Sequence, residues 1–228
     1  MPTALLPGLH AVVFDAYGTL FDVSSAAQRC ADALGDAAPR LAALWRDKQL
    51  QYSWLRAVQG RHADFWQVTG DALDFALDAL GMADPGLRER LMRLYLMLDA
   101  YPEAAETLRR VRGAGLATAI LSNGSPAMLS AAVEHAGLAA LFDHVLSVEE
   151  VGVYKPHPKV YQLAVDRLAM PAPQLGFVSS NGWDAWSASA FGMHAVWCNR
   201  SSQRRERLPG APDHEIRSLA ELPPLLGA

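Results

Sequence analysis

Cysteine is scarce: the 228 residues hold only Cys30 and Cys198, far apart and in apolar or amphipathic surroundings. No CxxC pair or Cys/His spacing is present, which argues against zinc. The two thiols are expected to be buried and free in a reducing compartment. Excess positive charge is also missing. Twenty Lys and Arg stand against 24 Asp and Glu, a formal net charge of −4, and no basic stripe interleaves with aromatics. Nucleic acid is therefore not an expected partner. The one basic cluster, Arg204-Arg205-Glu206-Arg207, carries its own acid in a Ser/Gln/Pro/Gly-rich stretch and reads as a solvated loop. The N-terminus lacks a basic region, and Pro7-Gly8 breaks its short apolar run, so no secretory signal is expected. Residues 113–133 carry no charge over a length that could span a bilayer. However, Ser122-Asn123-Gly124-Ser125-Pro126 falls in the middle, where lipid would leave backbone groups unpaired. No membrane partner is expected, and the expected location is cytoplasmic. No internal repeat is evident.

Half of the chain is apolar and 19% is charged, a balance that supports one α/β domain with a modest insertion. The apolar run Ala11-Val12-Val13 leads into Phe14-Asp15-Ala16-Tyr17-Gly18-Thr19, which places a carboxylate at the end of a first strand over 11–14. From about 24 to 98 nothing reads as a strand. Leu41, Leu44, Trp45, Lys48, Tyr52 and Leu55 recur at helical spacing, as do Phe65, Val68, Ala72, Phe75 and Leu80. Asp71, after Thr69-Gly70, and Asp84, before Pro85, are the expected helix starts. Pro102 suits the first turn of a helix that ends at Gly113 or Gly115. Strands follow at 116–121, 144–147, 175–178 and 194–197, with helices at about 126–135 and 159–168 and a third that follows the polar stretch 179–184 and runs to about 191. The Pro-rich tail is expected to hold a short helix and loop. The fold class is α/β: a Rossmann-like, doubly wound parallel sheet core (1–20 and 100–228) with an inserted all-helical cap (21–99).

Polar residues gather after strands 1, 2 and 4 and in the loop after strand 3, the carboxyl edge where open α/β sheets bind ligands. They comprise Asp15 and Thr19, Ser122 and Asn123, Lys155, and Ser179, Ser180, Asn181 and Asp184. A carboxylate nucleophile needs a cation to keep it ionised and oriented, a role that suits Lys155. Backbone N–H groups around Ser122-Asn123-Gly124, just before a helix, suit an anion. Each residue also has an ordinary reading. Asp15 caps a turn, Lys155 is a loop lysine, and Asp184 complements a helix dipole.

The motifs together resemble the haloacid dehalogenase superfamily, and more narrowly its L-2-haloacid dehalogenases. The resemblance covers about residues 10–200. It is carried by Phe-Asp-Ala-Tyr-Gly-Thr-Leu-Phe-Asp at 14–22, Trp45-Arg46, Lys48-Gln49-Leu50, Tyr52-Ser53-Trp54-Leu55-Arg56 and Leu121-Ser122-Asn123-Gly124. Further on come Lys155-Pro156-His157-Pro158-Lys159-Val160-Tyr161 and Ser179-Ser180-Asn181-Gly182-Trp183-Asp184. It implies a short 2-haloalkanoate as substrate, halide as product, no cofactor and a homodimer. It also implies site roles: Asp15 as nucleophile, Asp184 activating water, Lys155 and Asn181 orienting the carboxylates, and Thr19 and Ser179 supporting the nucleophile loop. Arg46 accepts halide. Ser122 and the backbone near Ala16 and Asn123 hold the substrate carboxylate, and Tyr161 matches a further site position. Tyr17, Leu50, Phe65 and Trp183 are candidates for the apolar wall, with packing as the alternative role.

Two departures from the phosphatase members of that superfamily bear on chemistry. Tyr17 stands where those enzymes place a second, proton-donating Asp. The loop Ser179-Ser180-Asn181-Gly182-Trp183-Asp184 offers one acid rather than an adjacent pair, a poor Mg²⁺ ligand set. A halide departs unprotonated and needs neither. The rival readings are a Mg²⁺-dependent phosphatase and a catalytically silent binding protein on the same scaffold.

Overall fold

A computed structural model describes residues 6–82 and 84–227. Residues 1–5, 83 and 228, which bear on the expected N-terminus and on the ends of the core and cap ranges, lie outside the described residues. The described chain begins with β1 (Ala11–Phe14), after which the described residues form no further strand until five helices have passed: α1 (Ser25–Gln28), α2 (Ala31–Leu34), α3 (Ala38–Gln59), α4 (Phe65–Ala79) and α5 (Pro85–Tyr95). It returns through α6 (Ala104–Gly113) to β2 (Ala117–Ser122), α7 (Pro126–His135), β3 (His144–Ser147) and α8 (Pro158–Leu168). After these come β4 (Leu175–Ser179), α9 (Gly182–Phe191), β5 (His194–Cys198), β6 (His214–Ile216) and α10 (Leu222–Leu226). The six strands form one sheet in the order β3-β2-β1-β4-β5-β6, every pair parallel. β1 is buried along its whole length. Helices cover both faces of such a sheet, so a central strand reads as an unbroken apolar run rather than an alternating one.

Five strands and the helices between them lie within about two residues of the expected positions, the usual uncertainty of helix and strand ends. The tail differs: besides α10 it holds β6, which was not expected. Its three residues include a histidine and a glutamate, and only Ile216 is buried, so no apolar pattern marks it. Asp71 is a second correction. It lies inside α4, paired with Arg56 at 2.9 Å, and the helix is capped by Asp64, whose Oδ1 accepts from the Gln67 N–H at 2.8 Å. Gly70 does not break α4 because the missing side chain makes room for α5. A Cβ there would stand 3.1 Å from Arg88 Nη2 and 3.7 Å from Met92 Cε. Asp84 does cap α5, accepting from the Leu87 N–H at 2.7 Å. Pro102 sits in the turn before α6 rather than in its first turn.

Register puts the site together. Phe14 is level with Ile120 on β2 and Val178 on β4. Asp15, Ser122 and Ser179 therefore emerge side by side at the carboxyl edge, where strand order reverses about β1. Among the described residues no helix is long and apolar enough to cross a membrane, and Cys30 and Cys198 are both buried and free.

Candidate active site

Asp15 begins where β1 ends, with its own N–H bonded to the Val178 carbonyl at 2.9 Å. The residue is 5% exposed, and its two carboxylate oxygens have different surroundings. Oδ2 accepts from Asn181 Nδ2 at 2.8 Å, Thr19 Oγ1 at 3.0 Å and Ser179 Oγ at 3.3 Å. Oδ1 accepts from Lys155 Nζ at 3.1 Å. Thr19 also ties the two loops to each other, its Oγ1 accepting from the Ser180 N–H at 2.8 Å, while Ser179 Oγ accepts from the Asn181 N–H at 3.2 Å within its own loop. One carboxylate oxygen is thus held in place while the other stays less encumbered.

Lys155 is buried and bridges two acids, reaching Asp184 Oδ2 at 2.8 Å as well as Asp15. The other Asp184 oxygen accepts from Tyr161 Oη at 2.7 Å. Burial alone would push the Lys155 ammonium down, but the charges of Asp15 and Asp184 outweigh it, and its pKa is raised. For Asp184 burial is the largest influence and raises the carboxyl above its usual range. Lys155 opposes that shift, and the charge of Asp15 adds to it. Removing the cation would leave two buried carboxylates uncompensated, which typically costs about 3–5 kcal/mol. The Lys155 backbone is fixed too, its N–H donating to Asn123 Oδ1 at 3.0 Å.

Above this floor lies an enclosed cavity of about 10 Å³, lined by Asp15, Tyr17, Arg46, Phe65, Ser122, Asn123, Lys155, Asn181 and Trp183. That is room for roughly one water. Arg46, on α3, comes across from the helical insert, its Nη2 donating to Asn181 Oδ1 at 3.3 Å. Tyr17 stacks between Phe65 (5.8 Å) and Tyr95 (5.6 Å). Its hydroxyl is buried and has no hydrogen-bond partner among the described residues. Burial raises its pKa well above the ordinary phenol value. Ser122 Oγ accepts from the Gly124 N–H at 3.1 Å, which leaves its own hydrogen to donate elsewhere. Trp183 lines both this cavity and a more open cleft of about 760 Å³, which Trp54 and Tyr161 also line.

Most of the residues singled out in the sequence are thus brought to one edge. Leu50 is not: it is half-buried on α3, one turn beyond Arg46, and does not line the enclosed cavity. Ala16 is buried, with its carbonyl taken by the N–H groups of Thr19, Leu20 and Phe21. Tyr161 faces Asp184 and the outer cleft. Sequence reasoning missed Gln49, which accepts from Arg46, and Thr69 and Tyr95, which bond to Gln49 in turn. Gln49 stood inside a quoted motif, and a polar residue on the inward face of an amphipathic helix was the available signal.

The residues present do not fit a Mg²⁺ ion. The Lys155 ammonium already lies between the two carboxylates, and the Tyr17 carbonyl accepts from Asn181 Nδ2 at 3.2 Å. No group of three or more His, Cys, Asp or Glu among the described residues is placed to share a cation.

A parallel sheet with an aspartate after β1, and a lysine shared with a second aspartate after β4, defines a haloacid dehalogenase-like hydrolase. Residues 9–192 match that family. The similarity extends to whole proteins. (S)-2-haloacid dehalogenase 1 of Pseudomonas sp. (strain CBS-3) is 47% identical over 219 residues, 96% of each chain. (S)-2-haloacid dehalogenase 4A of Burkholderia cepacia is 47% identical over 223 residues, 97% of this chain and 96% of that protein. The L-2-haloacid dehalogenase structure from Xanthobacter autotrophicus with chloropropionic acid covalently bound superposes with a TM-score of 0.90 at 40% identity, covering 96% of this chain and 99% of that one. The chain belongs to the (S)-2-haloacid dehalogenases.

Proposed function

We propose that this chain hydrolyses short L-2-haloalkanoic acids to 2-hydroxy acids, with inversion at Cα, through an ester on Asp15 and without a metal ion. The observation that carries the reading is the asymmetry of Asp15: Oδ2 is held by three donors, while Oδ1 faces only Lys155. Covalently bound chloropropionic acid in the Xanthobacter autotrophicus relative supports it.

In the first step a lone pair of Asp15 Oδ1 forms the bond to Cα, and the halogen leaves with its bonding pair as halide. Ser122 and the backbone around Ala16 and Asn123 hold the substrate carboxylate. Tyr17, Phe65 and Trp183 wall the alkyl group, with Leu50 behind. Arg46 receives the halide. A fixed donor beside developing negative charge is typically worth about 2.7–4 kcal/mol. In the second step water attacks Cγ of the ester and Asp184 takes one of its protons. As the intermediate collapses, the hydroxyl left on Cγ passes its proton to the departing alkoxide oxygen, which restores the Asp15 carboxylate and releases the hydroxy acid, and Asp184 then gives its proton to solvent. Lys155, Asn181, Ser179 and Thr19 hold the two carboxyl groups in place, and Tyr161 orients Asp184.

Residues 21–99 act as the cap that closes this site over the core. The enzyme works in the cytoplasm as a homodimer. The buried reduced thiols and the apolar side chains exposed on α3 and α4 support those two readings.

Halide release from L-2-chloropropionate and monohaloacetates, measured with EDTA present, tests the proposal. Wild type should turn over, and Asp15→Asn should be inactive. No release from any of these substrates sinks the assignment, and Mg²⁺-dependent turnover of an aryl phosphate would favour the phosphatase. In a single turnover in ¹⁸O-water the label should enter Asp15. Label appearing directly in product would mean attack by water on the substrate itself.

A further inference from the structure

Arg46 is held from behind by Gln49, the first of a set of buried polar groups that the mechanism does not use. Its Nη1 donates to Gln49 Oε1 at 2.7 Å, and Gln49, one turn further along α3, is buried. The amide nitrogen of Gln49 donates to Thr69 Oγ1 on α4 at 2.7 Å and lies 3.1 Å from Tyr95 Oη on α5. Burying an amide costs free energy unless every hydrogen bond is replaced. An apolar side chain would fill this position at less cost.

The direction of this chain of bonds is set at Thr69. A hydroxyl has one hydrogen, and that of Thr69 goes to the Phe65 carbonyl one turn earlier, at 2.6 Å. Toward Gln49 the oxygen offers only lone pairs, so the amide must present its NH₂ there. Oε1 is then left facing Arg46, as the acceptor a guanidinium requires. Turned over, the amide would set NH₂ against the guanidinium and a carbonyl against the Thr69 lone pairs. The Tyr95 hydroxyl, 3.2 Å from Oε1, braces the same amide from the third helix. Because the guanidinium is a rigid planar fork, anchoring Nη1 also directs its remaining N–H groups. An amide does this without cancelling the charge, which a carboxylate in its place would do.

We propose that Gln49, oriented by Thr69 and braced by Tyr95, is a positioning residue that aims Arg46 at the halide leaving Cα. The inference rests on Arg46 as the halide acceptor, so its test includes Arg46→Ala.

Single-turnover halide release from L-2-chloropropionate and L-2-bromopropionate is measured for wild type, Thr69→Val, Thr69→Ser, Gln49→Met and Arg46→Ala, together with thermal midpoints. Thr69→Val is nearly isosteric and removes the acceptor, while Thr69→Ser keeps it. Thr69→Val and Gln49→Met should slow chloride release about tenfold, short of the roughly hundredfold cost of a 1 Å misplacement. Bromide release should slow less, because chloride carries the more concentrated charge to the guanidinium. Thr69→Ser should stay close to wild type, and Arg46→Ala should show the same chloride-biased loss in larger form. If Gln49→Met does not fold, Tyr95→Phe, which deletes one hydroxyl, carries the same readout. Wild-type rates and halide ratio in Thr69→Val and Gln49→Met overturn the proposal and leave Arg46 standing if Arg46→Ala is impaired. Equal losses for both halides with a lowered thermal midpoint assign a packing role and overturn it too. If Arg46→Ala releases both halides at the wild-type rate, the Arg46 reading falls and the positioning role falls with it.

Discussion

Asp184 sits at the balance point of the site's electrostatics. Burial, with the charge of Asp15 adding to it, raises its carboxyl, while Lys155 and the Tyr161 hydroxyl favour the ionised form. A general base must be ionised, so turnover should fall as pH drops through this raised value, at higher pH than for an ordinary carboxylate. Tyr161→Phe removes a donor to the ionised form. The acid limb of the kcat–pH profile should therefore move to higher pH, with the plateau less affected. A limb that stays put or moves down would show that the hydroxyl does not stabilise the carboxylate. Among the residues, Asp15 and Lys155 were legible because a strand end and a loop motif placed them. Tyr17 was legible by contrast, as a phenol where a phosphatase would carry an acid. Gln49 was not, because its role depends on a threonine 20 residues away whose hydroxyl is already committed.

At the scale of elements, the β2–α7 loop makes a close approach that only glycine permits. A Cβ on Gly124 would stand 2.8 Å from Tyr17 Cε2, 2.9 Å from Tyr17 Oη and 3.1 Å from Leu129 Cδ2. The Tyr17 ring is pinned between Phe65 and Tyr95, so it can yield only toward the enclosed cavity. Gly124→Ala should destabilise the fold by about 1–3 kcal/mol, the usual cost of overpacking, and should lower kcat/KM. Chemical denaturation and steady-state kinetics check the two effects, and an unchanged kcat/KM would show that Tyr17 does not shape the pocket. Elements whose signal is local were readable: β1 from its apolar run, α5 from Asp84-Pro85, and α7 from Pro126 at its start. β6 and the course of α4 through Thr69-Gly70 were not. The first is stabilised by pairing with β5 and the second by packing against α5.

For the whole molecule, the exposed apolar side chains carry the clearest expectation. Leu55 on α3 is 54% exposed and Phe75 on α4 is 40% exposed, next to Tyr52, whose ring meets Phe75 edge-on at 6.5 Å. A patch of this kind fits the homodimer proposed above. Light scattering should give twice the chain mass, and Leu55→Ser with Phe75→Ser should give monomer. A wild-type monomer at all concentrations would remove the dimer. By itself the sequence determined the α/β class, the helical insertion and the residues at the strand ends, because apolar periodicity and strand-end motifs are local properties of the chain. Tertiary structure alone decided which Asp15 oxygen is held, that Lys155 is shared with Asp184, and how Gln49, which holds Arg46, is braced from α4 and α5. Those depend on distances between groups up to 166 residues apart in sequence, and only the packing of the sheet against the insert sets them.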